Sequence, residues 1–284
     1  MSERPVLEVR DLHVSVRQSG RELVSDVSLR VMPREIVGIV GESGSGKTLT
    51  MLALSQLLPA GLTATSQVLT FDGHDLTSGS PRRLRSVLAS RMSMVFQDPL
   101  SSLNPARRVG SQMIESVRTH QGLSRSDARD LAIAALDDVG IDDPERRYRQ
   151  YPHELSGGMR QRVMIAMGML GDPVLFVADE PTTALDVSVQ AQVMELLCRL
   201  NDAHGTAVLL VSHNISLLSE VCDRMIVMYR GRVVEELTVD ELLAGPAHPY
   251  TQALLRAVPD LTMDRNRDLE VFDERPDEME ALDA

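Results

Sequence analysis

The chain has 284 residues, 43% of them hydrophobic, which is enough for one large domain with a buried core or for one domain with a small appendage. Its net charge of −12 argues against a protein whose main partner is a nucleic-acid backbone, since such binding depends on Lys and Arg. Glycine, aspartate and proline interrupt the longest apolar-rich stretch, 163–178, so we expect no membrane-spanning helix. The two cysteines and the polar first residues predict a cytoplasmic protein without disulfides.

The predicted strands and helices alternate along most of the chain. Alternating apolar residues predict half-buried strands at 6–16 and 23–31, and the apolar run 36–40 predicts a fully buried strand. Further periodic segments predict helices at 48–58, 109–119, 126–139, 158–170 and 187–201, and strands at 174–178 and 207–211. This order predicts an α/β fold with a parallel core sheet, preceded by an N-terminal antiparallel β subdomain.

Two regions depart from the alternation. From about 99 to 156 the pattern contains helices and no convincing strand, which predicts a helical subdomain inserted into the core. From 261 to 284 acidic residues dominate and large apolar residues are few, which predicts a flexible, solvated tail. We therefore expect one domain over 1–260, followed by this tail.

The segment GESGSGKT, residues 41–48, lies between the buried strand 36–40 and the following helix, and we call it the phosphate loop. Its glycines let the backbone wrap around phosphates, Lys47 reaches the outer phosphates, and the Thr48 hydroxyl binds Mg²⁺. The predicted nucleotide-binding residues are Gly41, Glu42, Ser43, Gly44, Ser45, Gly46, Lys47 and Thr48. Lys47 is the only lysine among 29 lysine and arginine residues, as expected if this pocket needs a compact ammonium. A glycine-rich turn without a ligand is the alternative, and the flanking strand and helix oppose it.

Two adjacent carboxylates follow the predicted strand 174–178. Open α/β sheets bind ligands at the carboxyl ends of their strands, where Asp179 and Glu180 would lie. We expect Asp179 to hold the Mg²⁺ shell and Glu180 to polarise a water that attacks the γ-phosphate of ATP. Two solvated acids would be the ordinary interpretation of this pair alone. Together with the phosphate loop, the pair predicts a P-loop NTPase.

A second glycine-containing helix start occurs in LSGGMRQR, residues 155–162, which we call the signature segment. Ser156 can cap the helix, and Gly157 and Gly158 can present backbone N–H groups to an anion. An ordinary serine-capped helix is the alternative. A monomer needs only one anion site, so we expect these three residues to contact the γ-phosphate of a nucleotide held by another subunit.

With these motifs the chain resembles the ABC ATPases over almost all of 6–260. The resemblance implies that two such domains sandwich two ATP molecules head to tail. It also implies that Gln97, in MVFQDP, contacts Mg²⁺ and the attacking water and couples them to a membrane partner. Residues 184–186 would cross the dimer interface, and His213 would contact the γ-phosphate.

The usual adenine-stacking aromatic residue of these ATPases has no counterpart here. Val14, Val16 and Arg17 occupy that neighbourhood, so we expect the base to be held by aliphatic contacts or by stacking on Arg17.

Three longer strings, 94–110, 178–192 and 248–261, resemble the peptide and nickel importer group. The resemblance implies an ATPase at the cytoplasmic face of the membrane, with two transmembrane permease subunits and a second ABC ATPase, identical or paralogous. It also implies indirect cooperation with an extracytoplasmic solute-binding protein. Dipeptides, oligopeptides, nickel chelates and glutathione-like compounds all remain open as cargo.

A soluble ABC ATPase acting on ribosomes or DNA is the alternative from another class. The single cassette and the short helical insertion oppose it, because ribosome-associated relatives typically carry two cassettes and DNA-repair relatives a long coiled coil. A nucleotide switch with negligible turnover is a third interpretation, which the presence of Glu180 and His213 opposes.

Overall fold

Two β-sheets organise residues 4–96, 102–183 and 185–257, which the computed structural model describes. The strands are β1 (Leu7–Val16), β2 (Glu22–Val31), β3 (Ile36–Val40), β4 (Leu62–Thr65), β5 (Val68–Phe71), β6 (His74–Asp75), β7 (Met92–Val95), β8 (Leu175–Asp179), β9 (Ala207–Ser212), β10 (Arg224–Tyr229) and β11 (Arg232–Thr238). The helices are α1 (Lys47–Leu54), α2 (Pro81–Arg91), α3 (Val109–His120), α4 (Arg125–Asp138), α5 (Pro144–Arg149), α6 (Gly157–Met169), α7 (Val187–His204), α8 (Ile215–Ser219), α9 (Val239–Ala244) and α10 (Pro249–Arg256), with a 3₁₀ turn at Pro152–Glu154.

The larger sheet has the strand order β11-β10-β3-β9-β8-β7, and its strands are parallel except for the antiparallel edge strand β11. Every residue of β3, β8 and β9 is buried. In β3, Ile36 and Val40 join one apolar core and Val37 and Ile39 the other, which is why a continuous apolar run is needed. The predicted parallel core is confirmed, and the carboxyl ends of these strands share one edge.

The smaller sheet has the order β2-β1-β5-β6, and β4 also pairs with β1. Its pairings are antiparallel, as predicted for the N-terminal subdomain. Apolar residues of β1 and β2 alternate with exposed ones and pack with α1 against one face of the larger sheet. This sheet therefore supports the helix that begins inside the phosphate loop.

The described part of the inserted stretch, 102–156, contains α3, α4, α5 and the 3₁₀ turn, joined by loops, and no strand. Buried side chains on α3 and α4, including Met113, Ala132 and Leu136, join the core that also contains α6. Residues 97–101, which include the predicted start of this insertion, and the predicted tail lie outside the described residues. Within the described ranges, no helix has both the length and the apolar content needed to span a bilayer.

The first helix is shorter than its sequence pattern suggested. The prediction extended it to residue 58, whereas α1 ends at Leu54. Gln56 has a positive φ of 56°, and such a left-handed residue ends the helical hydrogen-bond ladder.

Candidate functional site

A cavity of about 750 Å³ lies at the carboxyl edge of the parallel sheet, beside the loops that follow β3, β8 and β9. Its lining residues are Leu23, Glu42, Ser43, Gly44, Gly46, Lys47, Thr48, Leu49, Glu180, Thr183, His213 and Leu254. The structure thus brings most of the predicted phosphate loop together with Glu180 and His213, which directly follow β8 and β9. These residues come from segments far apart in the sequence, and the shared edge of the sheet is what gathers them.

Lys47 is almost fully buried at the start of α1, with 5% of its surface exposed. Its Nζ donates hydrogen bonds to Gly41 O at 2.6 Å, Glu42 O at 2.8 Å and Ser45 Oγ at 3.4 Å. Burial lowers the pKa of Lys47, and the carboxylates of Glu180 and Asp179 partly oppose that shift. The ammonium is therefore held by oxygens of its own loop, where an anionic phosphate can take their place.

At two positions of the phosphate loop, the backbone geometry requires glycine. A Cβ on Gly41 would lie 2.2 Å from the carbonyl oxygen of Met228, which is backbone of β10 and cannot swing aside. Gly46 has φ of 100° and caps the N-terminus of α1. Both positions allow the chain to turn tightly, so that the N-terminus of α1 points its amides at the cavity.

Thr48 and Asp179 meet next to this helix start, with Thr48 Oγ1 donating to Asp179 Oδ1 at 3.3 Å. Burial raises the pKa of Asp179, as does the neighbouring Glu180, whereas the Thr48 hydrogen bond and the Lys47 charge oppose the rise. Among the described residues, no group of three or more His, Cys, Asp or Glu side chains could hold a metal by itself. A hydroxyl and a carboxylate are the oxygen ligands that Mg²⁺ takes when phosphates and waters supply the rest, so this pair fits Mg²⁺.

Glu180 lies directly after β8 in a left-handed conformation, with φ of 47°. Its Oε2 accepts a hydrogen bond from Thr183 Oγ1 at 2.8 Å, and its Oε1 lies 3.2 Å from His213 Nδ1. Burial raises the pKa of this carboxyl, but the hydrogen bonds from Thr183 and His213 and the charge of Lys47 outweigh it, and the pKa is lowered overall. The structure therefore places the predicted base and the predicted histidine in contact. The sequence did not single out Thr183, whose hydroxyl only becomes relevant once the turn after β8 is folded.

The signature segment lies outside this cavity's lining. Ser156 caps α6 by accepting a hydrogen bond from Met159 N at 3.3 Å, as the sequence predicted. Ser156 and Gly157 are exposed, and Gly158 is partly exposed. Gln97, predicted to contact Mg²⁺ and the attacking water, and Ala184, predicted to lie at the dimer interface, are outside the described residues.

Arg17 does not line the cavity with the phosphate loop. It lies in a separate cavity of about 500 Å³, whose other lining residues include Leu58 and Leu62. Instead, Leu23 at the start of β2 and Leu254 on α10 reach the phosphate-loop cavity. The sequence missed Leu254, although it lies in the 248–261 string, because a residue more than two hundred positions from the phosphate loop gives no local signal of contact.

Two protein-family models match this chain. A sequence model described as ABC transporter matches residues 24–183. The chain belongs to the ABC transporter family. A second model, described as the oligopeptide/dipeptide transporter C-terminal region, matches residues 234–283. The predicted resemblance to the ABC ATPases and to the peptide importer group is confirmed, and the chain is an ABC ATPase.

Curated relatives cover most of this ABC protein. It is 47% identical over 259 residues to a probable peptide ABC transporter ATP-binding protein of Sinorhizobium fredii, covering 90% of this chain and 77% of the relative. It is 47% identical over 265 residues to a putative peptide import ATP-binding protein of Brucella abortus (93% and 80% covered). It is 43% identical over 264 residues to the dipeptide transport ATP-binding protein DppD of Haemophilus influenzae (92% and 80% covered).

Solved ABC cassettes have the same fold. The cbiO1 protein of Clostridium perfringens, part of the ABC transporter complex cbiONQ, superposes with a TM-score of 0.74 at 25% identity, covering 86% of this chain and 92% of that one. A dimeric ATP-binding cassette in a post-hydrolysis state, bound to ADP and Pi, superposes with a TM-score of 0.72 at 24% identity, covering 82% and 98%. The predicted ABC cassette fold is therefore confirmed.

Proposed function

We propose that this ABC ATPase is the ATP-hydrolysing subunit of a peptide importer. The observation that carries the enzymatic part is the single cavity shared by Lys47, Thr48, Glu180 and His213. The match of residues 234–283 to the oligopeptide/dipeptide transporter region supports the peptide cargo, and so do the relatives named for peptide import. Dipeptides, longer peptides and nickel chelates are the candidate cargo classes, which the uptake experiment below separates.

In the proposed ATP complex, the phosphate loop surrounds the β- and γ-phosphates and Lys47 exchanges its loop oxygens for phosphate oxygens. Thr48 and Asp179 would hold Mg²⁺, joined by Gln97 from outside the described residues. When bound, Mg²⁺ would neutralise part of the negative charge that spreads over the transferred phosphoryl group. The buried ammonium and the α1 N-terminus add positive charge that is already in place.

Glu180 is the proposed residue that orients and polarises the attacking water. Its lowered pKa keeps the carboxyl ionised at neutral pH, so it can accept a hydrogen bond from water. Thr183 fixes one carboxylate oxygen, and His213, 3.2 Å from the other, lines the same cavity and would contact the γ-phosphate. The contact between Glu180 and His213 in one cavity with Lys47 argues against a switch without turnover.

A second ATPase, identical or paralogous, is part of the proposal. Ser156, Gly157 and Gly158 do not line the cavity of their own chain, yet they form an exposed helix start suited to an anion. In a head-to-tail dimer they would face the partner's γ-phosphate. The dimeric form of a related cassette supports this pairing.

In the proposed importer this chain lies at the cytoplasmic face of the membrane, where it contacts two transmembrane permease subunits and cooperates indirectly with an extracytoplasmic solute-binding protein. The relatives named for peptide import support the proposed permease partners. A mostly apolar cavity of about 530 Å³ lies beside the end of β7, the strand that precedes Gln97 in the sequence. Its lining includes Met94, Phe96, Met164 and Met167. If the permease contacted this cavity, movement of the permease would be linked to the hydrolytic site. No nucleic-acid partner is proposed, and the relatives' names do not favour action on ribosomes or DNA.

The test is a pull-down with the Glu180→Gln variant, expressed with a tag in its native membranes and purified with ATP and Mg²⁺. We expect two multispanning proteins to copurify, together with a second copy or a paralogous ATPase. Uptake of labelled dipeptides, longer peptides and nickel chelates by cells lacking the gene then identifies the cargo. Recovery of ribosomal or DNA-bound proteins in place of membrane proteins would reject the importer proposal.

A further inference from the structure

The 248–261 string contains a helix that the proposed reaction does not use. Glu235 Oε1, on β11, accepts hydrogen bonds from the backbone N–H of Ala247 at 2.7 Å and of His248 at 3.2 Å. His248 Nδ1 then accepts from Tyr250 N at 3.1 Å and caps α10, which begins with Pro249. The start of α10 is therefore fixed to the edge of the parallel sheet.

Tyr250 connects this helix to the phosphate loop. The side chain is fully buried, its ring lies 4.3 Å from that of Tyr229, and its hydroxyl accepts a hydrogen bond from Glu42 N at 2.9 Å. That N–H belongs to the peptide group between Gly41 and Glu42, whose carbonyl oxygen accepts from Lys47 Nζ at 2.6 Å. One peptide group is thus held by Tyr250 on its N–H side and by Lys47 on its carbonyl side.

Leu254 lies four residues after Tyr250 and therefore on the same side of α10. It is partly buried against the core and lines the cavity, as does Leu23 from β2. None of the described residues that line this cavity is aromatic, so its apolar surface is aliphatic. A nucleotide whose phosphates lie at Lys47 must place its base against some apolar surface, because a purine gains by leaving water.

We propose that α10 is part of the nucleotide site, with Leu254 and Leu23 forming the aliphatic contact for the base of ATP and Tyr250 positioning the first peptide group of the phosphate loop. The inference requires only the nucleotide site and is independent of the peptide cargo. It explains why a helix far along the sequence is anchored beside the loop. Tyr250 acts here through the loop and does not touch the reacting atoms.

The experiment compares two ligands on the full chain: ATP and inorganic tripolyphosphate, which has the phosphates without base or ribose. Affinities are measured by titration calorimetry in EDTA, so that no hydrolysis occurs. Leu254→Ala should weaken ATP binding about three- to tenfold and leave tripolyphosphate binding unchanged, because it removes only apolar contact. Tyr250→Phe should weaken both ligands by a similar factor of about three to ten, since it releases the shared peptide group.

Matched variants separate contact from folding. Leu243→Ala, at a leucine of α9 that is 77% exposed, should change neither affinity. Leu254→Met should retain ATP affinity, because an apolar side chain of similar size still reaches the cavity. Thermal unfolding of each variant verifies that the fold is intact.

Three results would overturn the proposal. A folded Leu254→Ala protein with wild-type ATP affinity would show that the base does not contact α10. Equal losses for ATP and tripolyphosphate in Leu254→Ala would make Leu254 a support of the loop instead. A loss in Tyr250→Phe that is confined to ATP would reject its positioning role. Absence of permeases from the Glu180→Gln pull-down would leave these affinities unaffected, so the two proposals can fail separately.

Discussion

The starts of α1 and α6 are the two helix N-termini predicted to contact phosphates, and they differ in how completely each is enclosed. At the start of α1, Lys47 is 5% exposed and faces a cavity that also contains Glu180 and His213. At the start of α6, Ser156 and Gly157 are exposed and lie outside that cavity's lining. Both starts present backbone amides that an anion can use.

The difference shows which part of the reaction one chain can carry out. The α1 site gathers a cation, a hydroxyl, two carboxylates and a histidine at one edge of the sheet, with Thr48 bonded to Asp179 and His213 next to Glu180, so we expect it to bind a nucleotide without help. The α6 site has only a capped helix start, and a single helix N-terminus gives weak anion binding in water. Binding should therefore depend on the first site, whereas turnover should depend on both.

The largest expected effect comes from the enclosed site. Glu180→Gln keeps the size of the side chain and lets Thr183 still donate a hydrogen bond, but it removes the carboxylate that we propose polarises the attacking water. ATPase turnover should fall by about 10²- to 10⁴-fold, with ATP affinity nearly unchanged. Steady-state phosphate release and ATP titration measure the two quantities. Glu220→Gln, at an exposed carboxylate just after α8, is the control and should be as active as the parent.

Lys47 gives the next largest effect. Its Nζ is surrounded by three oxygens within 3.4 Å in a buried position, so a guanidinium has no room there. Both Lys47→Ala and Lys47→Arg should weaken ATP binding by about 10- to 100-fold, as expected for losing a charged hydrogen-bond donor. ATP titration is the measurement. If Lys47→Arg bound ATP as tightly as the parent, the site would need only positive charge and not a compact ammonium.

At the α6 start, Gly157→Asp should separate turnover from binding. The added carboxylate would face the partner's γ-phosphate and repel it, and turnover should fall by about tenfold or more. The affinity of the isolated chain for ATP should stay the same. Unfolding cannot be the cause, because an acidic residue at a helix N-terminus stabilises the helix. A matching loss of ATP affinity would show that the α6 start serves its own chain's nucleotide.

The enclosed site was largely predictable because its parts carry local signals. The apolar runs of β3 and β8 locate two buried strands, and the residues that follow them, 41–48 and 179–180, have side chains suited to phosphate and Mg²⁺. The short strands β4, β5 and β6 were missed, since two to four residues are too few to show alternation. The hairpin of β10 and β11 was missed as well, although Gly231 between two apolar runs was an available turn signal.

Contacts between distant segments were not predictable. Tyr250 is 208 positions from Glu42, and nothing near either residue indicates the other. Arg17 was proposed to replace the missing adenine-stacking residue because of its position in the sequence. The hairpin of β1 and β2 instead places Arg17 in another cavity. Local patterns therefore indicate which groups a site needs, and only the fold decides which distant side chains reach it.

The smallest expected effect is on the free energy of unfolding, and it is found by comparing one glycine from each helix start. In Gly41→Ala the new methyl group would lie 2.2 Å from the Met228 carbonyl, so the free energy of unfolding should fall by about 1–3 kcal/mol. In Gly157→Ala the nearest atom is Leu185 Cδ2 at 3.8 Å, an ordinary contact, and the change should stay within about 0.5 kcal/mol. Urea denaturation of both variants measures the difference. Equal destabilisation would mean that the α6 start is packed as tightly as the phosphate loop, and would leave no open surface there for a partner's nucleotide.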